Sequence, residues 1–238
     1  MSVQFVEKSY SWKEMTLWEY LEEGNIPTLW FKFFLDNQDK LYKISKQLED
    51  ERPERIFPYI NQVFRAFIPL EKIKVVVVGQ DPYHNGSAVG YCFSVLPGNK
   101  INPSLRNMYK ELKQSGYDVK ENGILTHWVD QGCFMINTAL TVEKGCPDTH
   151  TAFWYDFTES AIKYVADNCE NVVWLLMGSK AHKFKQFIPK KQLSICTSHP
   201  SPLSAHRTST TVPSFFGSNA FVKINARLEE DGDTPIIW

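Results

Sequence analysis

Val75-Val76-Val77-Val78 is a run of four β-branched apolar residues that leads without a break into Gly79-Gln80-Asp81-Pro82-Tyr83-His84. A strand buried on both faces needs such an uninterrupted run, and sheets covered on both faces are the parallel kind. In open α/β sheets, ligands sit just beyond the carboxy ends of the strands. The loop therefore puts an amide, a carboxylate, a phenol and an imidazole where such a site forms.

Three further apolar runs repeat the pattern. They are Phe134 to Leu140, Asn171 to Met177 before Gly178-Ser179, and Leu193 to Thr197 before Ser198-His199-Pro200. Helical periodicity fills the intervals at Ser104–Gln114, Ala152–Ala166 and Lys180–Phe187, and again at Asn219–Glu229. Strand and helix in alternation predict an α/β fold: a four-stranded parallel sheet flanked by helices on both faces. Ahead of it a helical N-terminal extension is expected. Ser11-Trp12-Lys13-Glu14 has capping-box spacing, and Trp12, Met15, Tyr20 and Leu21 supply a stripe for a short helix. Leu29, Phe33, Leu41, Ile44 and Leu48 continue the period into a longer one that ends before Pro53. The aromatic residues Trp18, Trp30, Phe31, Phe33 and Phe34 read as core packing. With no internal repeat and no linker, residues 1–238 read as one domain.

The bulk properties narrow the class. The five cysteines are widely spaced and form no Cys-x-x-Cys or Cys-x-x-His pair, which argues against structural zinc and a disulfide scaffold. Reduced thiols point to a cytoplasmic or nuclear protein. Met1–Tyr10 lacks a secretory pattern, and no apolar run reaches the length of a membrane span. A net charge of −1 means that any nucleic-acid face must be a local concentration of positive charge.

Parallel strands end on one edge of their sheet, so Gln80–His84, Asn137, Gly178-Ser179 and Ser198-His199 should converge. Asp81 before Pro82 alone would read as a turn former, and His199 before Pro200 as a satisfied histidine. On two strand ends of one sheet they become an acid/base pair. A phosphate loop is excluded because the Gly-x-x-x-x-Gly-Lys-Ser/Thr spacing is missing. A metal hydrolase built on Asp81, His84 and His199 lacks a second ligand cluster. Asn137 lies within an apolar run, where an unpaired amide costs about 1–3 kcal/mol. It pairs either with a neighbouring loop or with the edge of a ligand such as a nucleobase. In His199-Pro200-Ser201-Pro202-Leu203-Ser204-Ala205-His206-Arg207, serines suited to phosphate contact flank an apolar Leu203 without periodic partners.

Gly79-Gln80-Asp81-Pro82-Tyr83-His84 and His199-Pro200-Ser201-Pro202-Leu203-Ser204 together resemble the two signature motifs of family 1 uracil-DNA glycosylases. The resemblance runs from Ser11-Trp12-Lys13 through Asn61-Gln62-Val63-Phe64, Cys92-Phe93-Ser94 and Leu140-Thr141-Val142 to Pro235-Ile236-Ile237-Trp238. It implies hydrolysis of the N-glycosidic bond of deoxyuridine in single- or double-stranded DNA, monofunctionally, with no metal or cofactor. It also implies that Asp81 activates water toward C1′ and that a neutral His199 donates to uracil O2. Asn137 would read N3–H and O4, Phe93 lie under the flipped base, Tyr83 bar a 5-methyl group, and Gln80 sit beside base and water. Leu203 would fill the vacated stack. Ser104, Ser179, Ser201 and Ser204 would hold phosphates, with Arg207, Lys180 and Lys183 as the positive face. A monomer, and a DNA-mimicking inhibitor protein as a partner, are further implications. The chain departs from the family's pattern at Ser87-Ala88-Val89-Gly90-Tyr91, at the short Gly98–Ser104 loop and at an insertion, Thr208–Ser214. A noncatalytic DNA-binding scaffold and a glycosylase of another base preference are the competing readings.

Overall fold

The computed structural model describes Trp12, residues 15–26 and residues 28–238. Four strands form one parallel sheet: β2 (Val75–Gly79), β3 (Cys133–Asn137), β5 (Val173–Met177) and β6 (Ser194–Thr197), in the order β3-β2-β5-β6. Two short segments, β1 (Ile56–Phe57) and β4 (Val142–Glu143), pair antiparallel beside it. The valine run is the centre of the sheet, hydrogen-bonded on both edges, and every residue of β2, β3 and β5 is buried.

Side chains alternate between two cores with the period of a strand. Val76, Val78, Phe134, Ile136, Trp174 and Leu176 face the helix Thr151–Asn168 and the N-terminal helices. Val75, Val77, Met135, Leu175 and Ile195 face the helices Pro103–Gln114 and Ala220–Glu230. Helices thus cover both faces, as predicted. The segment Lys180–Phe187 is not one helix: Ser179–His182 is a single α turn that tightens into a 3₁₀ stretch, Lys183–Phe187.

In the N-terminal region, the capping box expected at Ser11–Glu14 lies outside the described residues. A capping box does form at Thr16, whose Oγ1 accepts from Glu19 N–H (3.2 Å) while Glu19 Oε2 accepts from Thr16 N–H (2.7 Å). It starts a helix at Leu17, so Trp12 and Met15 pack against the core from outside that helix. The long helix is interrupted at Asn37, whose Nδ2 donates to Phe33 O (2.8 Å), splitting it into Phe31–Asp36 and Gln38–Glu49. Trp18, Trp30, Phe33 and Phe34 are buried, but Phe31 is 57% exposed, which corrects its assignment to the core. Phe31 shares an exposed stripe with Leu35 one turn on, while Phe33 and Phe34 turn to the core.

Phe157 lies in the middle of the aromatic cluster, with ring centroids 5.3 Å from Phe33 and 5.6 Å from Trp154. Among the described residues no helix is long and apolar enough to cross a membrane. Truncating Phe157 leaves a cavity under the helix Thr151–Asn168 and is expected to cost about 3–5 kcal/mol. Urea unfolding of Phe157→Ala, with an unchanged m-value, measures it.

Candidate active site

Register fixes the site before any side chain does. Gly79 pairs with Asn137, Val78 with Leu176, and Met177 with Thr197, so the carboxy ends of the strands are level. The chain leaves β2 over one face of the sheet and leaves β5 over the other. A crevice opens where neighbouring strands send their connections to opposite faces. A cleft of about 660 Å³ lies there, lined by Gly79 and Gln80, by Met177–His182, and by Ser198, His199 and the following loop.

Two glycines make room for the functional groups. A Cβ on Gly79 would stand 2.3 Å from Asn137 Oδ1 and 2.6 Å from Cys92 Cβ, so only glycine lets the carboxamide lie across the end of β2. Gly178, at φ 88°, would bring a Cβ to 3.0 Å from His199 Cβ. The backbone after β3 is tied to the same loop: Thr138 N–H donates to Gly79 O (3.1 Å), and Thr138 Oγ1 to Gln80 O (2.6 Å).

His199 is held in one tautomer. Its Nδ1 accepts from Ser201 N–H at 3.1 Å, which leaves the ring proton on Nε2. Burial pushes the imidazole down to about 4, so it is neutral near pH 7. The result is an uncharged donor at the cleft wall. The Phe93 ring lies 5.9 Å from it, on a backbone with φ 63° that is unfavourable for a non-glycine residue. Tyr83 Oη donates to Phe93 O (3.2 Å), joining the three rings into one assembly. The Asn137 side chain is buried, and among the described residues none hydrogen-bonds its carboxamide.

Asp81 is half-buried. Burial raises its carboxyl above the usual range; Asp148 N–H, donating to Oδ2 at 2.7 Å, and the charges of Lys180 and His84 pull it down, while the Asp148 charge pushes it up. Asp148 is the group that sequence reasoning missed, 67 residues from Asp81 in the chain. Lys180, expected on a positive face, is ion-paired with the Asp148 carboxylate.

Ser179, Ser201, Ser204 and Arg207 line the cleft, together with Lys180. Thr208, Ser209 and Val212, in the segment that reads as an insertion, line it too. Leu203 is 79% exposed on the proline-stiffened loop. Ser104 is outside the cleft, in the helix Pro103–Gln114, which reaches the loop through Asn107 Nδ2 donating to Pro200 O (2.8 Å). Lys183 is exposed and lines no part of the cleft. Among the described residues, no cluster of three or more His, Cys, Asp or Glu side chains could hold a metal ion.

The family model of the Uracil DNA glycosylase superfamily matches residues 66–229. The uracil-DNA glycosylase of Azotobacter vinelandii is 41% identical over 219 residues, covering 88% of this chain and 92% of that protein. That of Agrobacterium fabrum is 45% identical over 191 residues, covering 78% and 77%. Among solved structures, a mimivirus UNG variant in complex with UGI superposes with a TM-score of 0.82 at 33% identity, covering 88% of this chain and 87% of that one.

Because the folded imidazole titrates below its ordinary value, unfolded chains bind more protons in the interval between the two. Stability is therefore expected to fall as pH drops from 6.5 toward about 4, and His199→Gln should flatten that part of the curve. Denaturant titration across this range checks the slope, and ¹⁵N spectra of the ring check that Nε2 carries the proton. Gly79→Ala should displace the Asn137 amide, seen as loss of ligand binding greater than any loss of melting temperature.

Proposed function

The chain belongs to the uracil DNA glycosylase superfamily, and we propose that it acts on deoxyuridine extruded from DNA. As a DNA-repair hydrolase of N-glycosyl bonds, it breaks the bond between C1′ and N1 of uracil. Free uracil leaves and an abasic site remains, with no lyase step. The observation that carries this reading is the neutral His199 with its proton on Nε2, at the wall of a cleft that also holds Gln80.

The chemistry follows from charge. As the glycosidic bond breaks, its electron pair moves onto uracil and builds up on O2, while C1′ becomes cationic. A donor already aimed at O2 in a dry pocket lowers such a barrier by about 2.7–4 kcal/mol. His199 supplies that donor without losing its proton. Asp81, ionised, faces the cationic sugar and takes a proton from the attacking water, whose oxygen bonds to C1′. The uracil anion is protonated later by solvent.

None of this can occur inside a stacked duplex, so the nucleotide swings out at a cost of a few kcal/mol. Leu203, exposed on its stiff loop, is suited to fill the gap. Ser179, Ser201, Ser204 and Arg207 hold phosphates along the cleft, with Ser104 contributing from the neighbouring helix. The unclaimed Asn137 carboxamide pairs with N3–H and O4 of uracil, Phe93 lies under the ring, and Gln80 borders base and water. Tyr83, fixed through Phe93 O, occupies the space a 5-methyl group would need.

The protein is proposed to work as a monomeric single domain on single- and double-stranded DNA. An acidic inhibitor protein that mimics DNA would cover the same cleft, in keeping with the UGI complex of the mimivirus protein. Five free cysteines suit a reducing compartment, cytoplasm or nucleus.

Asp81→Asn should lower single-turnover uracil release by roughly 10²–10⁴-fold while uracil-DNA binding persists. A variant as active as the wild type would refute the role, and a wild type inert on uracil DNA would favour the scaffold reading. Tyr83→Ala should admit thymine. Equal wild-type rates on uracil and thymine oligonucleotides would assign the enzyme a different base preference.

A further inference from the structure

The turn after β4 presses a second carboxylate against the site. Asp148 adopts left-handed backbone, φ 69°, which a non-glycine residue keeps only when its surroundings hold it there. Three contacts do so. Both oxygens of its carboxylate meet the Lys180 ammonium, and Oδ1 accepts from Thr151 Oγ1 at 2.9 Å. In that conformation its N–H points at Asp81 Oδ2, 2.7 Å away. The side chain is thus gripped from the first turn after β5 and from the start of the helix Thr151–Asn168, and the backbone it steadies grips Asp81.

We propose that Asp148, braced by Lys180, is a positioning residue that fixes the orientation of the Asp81 carboxylate, next in the chain to Gln80 of the cleft lining. What Asp81 does there rests on the glycosylase reading; where it is held does not. The brace also redefines Lys180. In the free protein its charge is spent inside the site, on a neighbour of the catalytic carboxylate, and not offered to a phosphate.

Three charged or titratable groups face Asp81: His84 from its own loop, Asp148 from the turn after β4, and Lys180 from the turn after β5. Asp148 itself faces Lys180 and Asp81. Its burial favours the neutral acid, but the hydrogen bonds from Lys180 and Thr151 and the Lys180 charge outweigh that and keep it ionised. The side-chain charges of the two members therefore act on Asp81 with opposite signs, while the Asp148 N–H favours its ionised form. Removing the Lys180 charge leaves two carboxylates adjacent and makes Asp81 harder to ionise; removing the Asp148 charge makes it easier.

The test uses Lys180→Met and Asp148→Asn in the full chain, with ¹³C-carboxyl-labelled aspartate followed by NMR against pH. Single-turnover rates on a saturating uracil oligonucleotide are measured over the same range. The Asp81 signal and the acid limb of the rate profile should move to higher pH in Lys180→Met and to lower pH in Asp148→Asn. Both variants should lose roughly tenfold or more in rate at the plateau, the usual consequence of a displaced reacting group. A purely structural role would move both profiles the same way or neither. Shifts of one sign in both variants, or plateau rates equal to the wild type, would overturn the proposal. A wild type that releases no uracil would overturn the glycosylase reading alone, and the NMR titration in the free protein would still decide the positioning claim.

Discussion

Parallel pairing of β2 with strands on both its edges is the constraint from which the rest of the molecule follows. It buries Val75–Val78 completely, which sends helices to both faces, and it levels the strand ends so that Gly79, Asn137, Met177 and Thr197 share one edge. Every group with a chemical role is attached within a few residues of that edge or to a turn bonded to it. The rigidity of the central strand is thereby passed to the site, where reacting groups must be held to fractions of an ångström.

Electrostatics completes what topology begins. Burial acts on the two central groups in the same sense, disfavouring charge on each, yet with opposite outcomes for function. Under the proposed mechanism it leaves His199 as a neutral donor, the required form, and it works against Asp81, whose ionised form is the useful one. The Asp148 amide and the Lys180 and His84 charges offset part of that penalty, and the carboxyl stays above its ordinary range. A pocket dry enough to strengthen a hydrogen bond to a departing anion must supply its own compensation for a carboxylate, and here backbone and lysine supply part of it.

Much of this was legible in the sequence, for a physical reason. A strand covered on both faces has to be continuously apolar, so β2 and β3 and the polar residues that end them stood out, as did the Ser-Pro loop after β6. What could not be read depended on contacts between distant segments. The split at Asn37 is made by a side chain bonding back to Phe33 O, which no periodicity reveals. Phe31 was grouped with the buried aromatics because composition says nothing of which helix face a ring occupies. The tautomer of His199 is set by one backbone amide, Ser201 N–H. No motif marks Asp148, and Lys180 reads in the sequence as part of a positive face; only the fold brings them together.

Leu203 carries a consequence for how the protein would search DNA. It already stands in water, 79% exposed, on a loop stiffened by Pro200 and Pro202. Moving a leucine side chain from solvent to an apolar stack recovers about 1.5–3 kcal/mol, similar in size to the unstacking of one nucleotide. Under the proposed activity, the tempo of inspection would then be set by the spontaneous breathing of each base pair, with weakly paired uracil halting the scan longest.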